Sequence, residues 1–171
     1  EDAIAAARVV KHAVAAENKD ASLLTIKVAG EKDGKRCRLD AETEAQLAAY
    51  IAEIKDAGVR TALVNTDPDR FSCQVEIYYD PMLVAETVET ACREAVREYI
   101  ENLPFNGEYT NMALVDALQT VEGVRIVEFK GATRVAADET VVVSIDARCV
   151  PAAGYFTMED VQLTLKAYGN E

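Results

Sequence analysis

From Phe71 to Tyr79 the chain alternates strictly, with Phe71, Cys73, Val75, Ile77 and Tyr79 separated by Ser72, Gln74, Glu76 and Tyr78. A period of two marks a strand with one buried face, so Tyr78 is expected on the face opposite the apolar stripe. After Asp80 and Pro81 the period lengthens. Val84, Val88, Ala91, Cys92, Ala95, Val96, Tyr99 and Ile100 recur at helical spacing, and Glu86, Glu89, Arg93, Glu94, Arg97, Glu98 and Glu101 fill the other side. This pattern predicts an amphipathic helix laid on that sheet.

The helix is expected to end near Asn102. Leu103, Pro104, Phe105, Asn106 and Gly107 then form an apolar-tipped turn. Pro104 disfavours helical geometry at Leu103, Gly107 is free to take a positive φ, and the Thr110 hydroxyl is placed to cap a short helix through Leu118. Val124 to Phe129 and Thr140 to Ala147 read as an antiparallel pair of strands around a loop containing Gly131 and Asp138. Val161 to Tyr168 reads as a last strand.

Upstream, the Ala-rich stretch from Ala3 to Ala16 predicts a helix that contains the single histidine, His12. Ser22 to Ala29 alternates as a strand, and Lys35 to Leu39 returns across a charged turn at Lys32 to Gly34. Asp40 is expected to cap a helix carrying Leu47, Tyr50, Ile51 and Ile54 that runs until Gly58, and Val59 to Val64 is a strand. The polar segment from Asn65 to Arg70, with Pro68, divides the chain. The expected organisation is an N-terminal helix over 1–19, a first α/β unit over 20–68 and a second over 69–171. The fold class is α+β: two small open-faced, ferredoxin-like α/β sandwiches with mainly antiparallel sheets and helices on one face.

Composition narrows the chemistry. Half of the 171 residues are apolar, enough for a proper core. The net charge of -12 opposes direct binding to nucleic acid or to anionic membranes, and no apolar run approaches the roughly 20 residues of a spanning helix. Cys37, Cys73, Cys92 and Cys149 are widely spaced and are expected to be buried free thiols in a reducing cytosol. The acidic pairs Asp67 and Asp69, Asp138 and Glu139, and Glu159 and Asp160 read as solvated turns, without the further oxygen ligands of a cation loop. A nucleophile elbow and a Gly-rich phosphate loop are both missing from the sequence. No catalytic, cofactor-binding or metal residue is therefore expected, and no small-molecule substrate. What remains is surface: Tyr78, Leu103, Phe105, Asn106, Tyr155 and Phe156 are the candidate protein-interface residues, because aromatic groups bury much area at little entropic cost.

The Leu103 to Gly107 turn, the helix Leu114-Val115-Asp116-Ala117-Leu118, the strand lead-in Val121-Glu122-Gly123-Val124 and the late Gly154-Tyr155-Phe156 together resemble the C-terminal region of baseplate J-like proteins, wedge components of contractile phage tails and related injection machines. The resemblance is clearest from Val75 to Leu165. It implies a non-enzymatic structural subunit, partnered by other wedge and tail proteins in a ring around the tail hub. It also implies a location in the virion tail baseplate, and in the bacterial host cytoplasm during assembly. The chain lacks a starting Met and the family's larger N-terminal portion, so it is expected to be a fragment. The alternative from another class is a ferredoxin-like regulatory module that binds a small molecule; an enzyme ranks third.

Overall fold

The computed structural model of the protein describes residues 9–18 and 22–169. The first sheet contains β1 (His12–Asn18), β2 (Leu23–Lys32), β3 (Lys35–Cys37) and β4 (Arg60–Val64). β1 pairs antiparallel with β2, placing His12 opposite Ala29, while β4 pairs parallel with β2, placing Leu23 opposite Arg60. Between β3 and β4 runs α1 (Ala41–Ile54), whose first turn is capped as expected: the Asp40 carboxylate accepts from Thr43 N at 2.9 Å.

β1 corrects the expectation of an N-terminal helix. Where that helix was expected to include His12 and Val14, the backbone is extended and joined to β2 over its whole length. Alanine favours helix by less than about 1 kcal/mol per residue over most others, and a ladder with an apolar neighbour strand outweighs that preference. Ala3 to Ala7 lie outside the described residues.

The second unit is built on β5 (Asp69–Tyr79), which lies between β7 (Val124–Val135), antiparallel, and β10 (Phe156–Ala167), parallel; β8 (Val143–Ile145) flanks β7. Phe71, Cys73, Val75 and Ile77 are all buried, so the alternation read from the sequence is the alternation of the sheet. Over that face lie α2 (Ala85–Asn102), burying Val88, Cys92, Val96 and Ile100, and α3 (Asn111–Gln119), burying Leu114 and Leu118. Thr110 caps α3 by accepting from Ala113 N. A two-stranded ribbon of β6 (Tyr109–Thr110) and β9 (Arg148–Cys149) closes the top, and the wholly buried Tyr109 ring packs on Phe71, Tyr99 and Phe156.

Gly131 was expected in a loop, yet β7 continues through it. Gln74 faces Gly131 and Val75 faces Phe129, so Lys130 is the extra residue of a bulge that keeps the strand paired to Val135. The strand expected from Thr140 to Ala147 shortens to three residues, and the last strand begins at Phe156. The protein is thus mixed α+β with mostly antiparallel strands. Among the described residues, neither unit follows the β-α-β-β-α-β order that defines the ferredoxin arrangement.

Candidate functional site at the junction of the two units

The two motifs that stood out separately in the sequence meet in space. α2 stops at Asn102 because Leu103, ahead of Pro104, is extended. The chain then folds back on itself, with Gly107 N donating to Pro104 O at 2.7 Å. Positive φ falls on Asn106 (59°) and not on Gly107 as expected. Gly107 is needed for a different reason: a Cβ there would sit 2.7 Å from Pro104 O. Asn106 N donates to Gly154 O at 2.7 Å, tying the turn to the segment ahead of β10. Gly154 has φ +92° and the Phe105 ring lies 2.9 Å from where its Cβ would be, so Phe105 rests on bare backbone.

Around this contact the first unit supplies cations and the second supplies acceptors. Lys27 of β2 donates to Asn106 Oδ1 and to Pro151 O, both at 2.8 Å. Burial lowers its pKa, partly offset by the nearby Asp69 carboxylate. Arg36 of β3 donates to Leu103 O at 2.8 Å, and Lys35 reaches Glu101 at 3.3 Å. In return Tyr155 donates its phenol to Thr66 O at 3.0 Å. Phe105 lies between the His12 and Tyr155 rings, at centroid distances of 5.6 and 6.2 Å, and Ala29 and Ala153 complete a small apolar cluster shared by the two units.

Asp69 anchors the segment that presents Gly154. It was expected to be solvated; it is instead 1% exposed and accepts from Ala152 N at 2.8 Å, Ala153 N at 3.1 Å and Arg134 at 3.1 Å. The carboxylate is buried because these three donors together replace its hydration. Its neighbour Asp67 remains exposed. At the expected boundary, Asn65 is buried and pinned by Leu39 N, Leu39 O and Glu44.

The proposed interface residues are therefore mostly internal. Tyr155 and Phe156 are buried, and Leu103 packs half-buried against the main core. Phe105 and Asn106 are half-buried at the junction, so the turn does not offer Phe105 to solvent. Tyr78 does occupy the opposite sheet face, half-covered by Lys166, whose ammonium is 5.6 Å from the ring centroid. No family model and no curated protein matches the chain.

A cleft of about 230 Å³ opens beside the junction, lined by His12, Glu31, Lys35, Arg36, Glu101 and Thr157 among others. Its charges are of mixed sign: Lys35 pairs with Glu101 at 3.3 Å, and His12 Nε2 lies 3.7 Å from the Glu31 carboxylate. All four cysteines are free; burial pushes Cys73 up to about 12 and Cys92 to about 11, so both are protonated and inert at neutral pH. Cys37 and Cys149 are only half-buried, against the expectation of four buried thiols. Among the described residues no three His, Cys, Asp or Glu side chains come together as metal ligands.

Sequence reading missed Lys27, Arg36 and Asp69. Lys27 had a signal, being the lone charge inside the apolar run Leu23 to Ala29. For Asp69 there was none, since an acidic residue beside Pro68 reads as an ordinary turn.

Proposed function

We propose that the chain is a structural component of a contractile phage or prophage tail baseplate, a wedge subunit that works through protein–protein contacts and performs no catalysis. Its partners in this reading are other wedge and tail proteins arranged in a ring, in the virion tail baseplate and, during assembly, in the host cytoplasm. One observation carries the reading. Two of the four motifs behind the baseplate J-like resemblance, Leu103 to Gly107 and Gly154 to Phe156, pack on one another and supply the residues that contact the first unit. A subunit that must pass a rearrangement from one neighbour to the next needs its units coupled, and hydrogen bonds from Lys27, Arg36 and Tyr155 across an aromatic contact provide coupling.

A second reading, a ferredoxin-like regulatory module that binds a metabolite, draws on the cleft beside the junction. At about 230 Å³ it is smaller than the roughly 300 Å³ at which ligand pockets usually begin, and Glu31, Lys35, Arg36 and Glu101 line it beside Tyr155 and Phe156, where such pockets are predominantly apolar. Affinity purification of the full-length protein from cells expressing its neighbouring genes distinguishes the two. Recovery of tail or wedge proteins is the expected result. Recovery of the protein alone with a bound small molecule would overturn the baseplate reading and support the regulatory one.

A further inference from the structure

Asn106 and Gly107 are both dictated by the shape of the turn, and together they form a chemically labile pair. Asn106 holds φ at 59°, a left-handed conformation that asparagine tolerates better than most residues. Gly107 has no room for a side chain, since a Cβ there would lie 2.7 Å from Pro104 O. Asparagine followed by glycine occurs once in the sequence, at this position. In such a pair the glycine nitrogen, unshielded by a side chain of its own, can attack the side-chain amide of the preceding asparagine. The closed turn restrains both reacting groups. Gly107 N–H is given to Pro104 O at 2.7 Å, so the nitrogen keeps its proton and faces Pro104, while Asn106 N–H is given to Gly154 O at 2.7 Å. From the first unit, Lys27 holds Asn106 Oδ1 at 2.8 Å and Arg36 holds the turn at Leu103 O at 2.8 Å.

We propose that Asn106 is a gated deamidation site, unreactive while the turn is closed against the first unit and modified when it opens. On opening, Gly107 N loses its proton to solvent and bonds to Asn106 Cγ. The Cγ–Nδ2 bond breaks, the side-chain nitrogen leaves as ammonia with a proton from water, and the product is a succinimide. One water then opens that ring at either carbonyl, to aspartate or isoaspartate. The net change consumes one water, releases ammonium and leaves a carboxylate. In the aspartate product the carboxylate stands beside the Lys27 ammonium, a stronger acceptor than the amide it replaces. In the isoaspartate product an extra backbone carbon lies between Pro104 and Gly107 and breaks their closure. Either way the junction carries a lasting chemical record of having opened. The inference does not rest on the baseplate reading.

The test follows the whole chain beside a peptide of residues 101–110 at one mildly alkaline pH. Peptide mapping by mass spectrometry scores conversion at position 106, enzymatic methylation scores isoaspartate, and hydrogen exchange scores opening at the Gly107 amide. The peptide is expected to convert. The folded chain is expected to convert about a hundredfold more slowly or slower still, by the same factor, within about threefold, that separates its Gly107 exchange from that of the peptide. Lys27→Met and Arg36→Met each free the turn from one donor of the first unit, and each is expected to raise conversion and Gly107 exchange together by about fivefold. Conversion of the folded chain at the rate of the peptide, opening at Gly107 that brings no conversion of Asn106, or no acceleration in either variant would each overturn the proposal.

Discussion

Gly154 and Asp69 hold the junction at the scale of single residues. Replacing Gly154 with alanine asks an L residue to take φ +92° and drives a Cβ against the Phe105 ring, an expected cost of about 2 to 3 kcal/mol in denaturant unfolding. The Asp69→Ala variant leaves the Arg134 guanidinium and two backbone N–H groups without their buried acceptor and is expected to lose about 3 kcal/mol, with Asp69→Asn recovering part. The buried thiols make a separate prediction. Cys73 is raised to about 12 in the folded protein from an ordinary value of 9.0. Both states hold the proton below pH 9, so the thiol's contribution is intact there; above it only the unfolded chain ionises, and stability falls until the folded thiol also ionises near pH 12. Between pH 9 and 11, Cys73→Val should therefore remove about 1.4 kcal/mol per pH unit from the fall in stability of the parent protein. An unchanged slope in pH-dependent unfolding would contradict the assignment.

At the scale of elements, what could be read from the sequence was whatever local chemistry decides. The alternation of Phe71 to Ile77, the stripe of Val88, Cys92, Val96 and Ile100, and the caps at Asp40 and Thr110 are all properties of residues close in sequence, and each forms as read. Thr110→Ala, which leaves Ala113 N without its side-chain acceptor, is expected to cost about 1 kcal/mol. The readings that failed turned on distant partners. β1 is a strand because β2 lies beside it, and β7 runs through Gly131 because β5 continues opposite. The candidate site was legible in the same partial way. Both motifs were visible, but their meeting depends on Asn106 N reaching Gly154 O, a contact between residues far apart in the chain that no local pattern encodes. Phe105 looked like an exposed tip because its cover, Gly154 and Tyr155, comes from that distant segment.

For the molecule as a whole, the account rests on the two units behaving as one body. The covalent link passes once between them near Asn65 to Asp69, and among the described residues the coupling includes the Phe105 cluster, the hydrogen bonds of Lys27, Arg36 and Tyr155, and the Lys35–Glu101 ion pair. Native-state hydrogen exchange tests this most directly, by comparing amides of β2 in the first unit, such as Val28, with core amides of β5 in the second, such as Val75 and Ile77. If the units are locked, the β2 amides share the opening free energy and denaturant dependence of the β5 core. Opening of β2 at a lower free energy, while β5 stays protected, would show that the units part freely and would contradict the proposal.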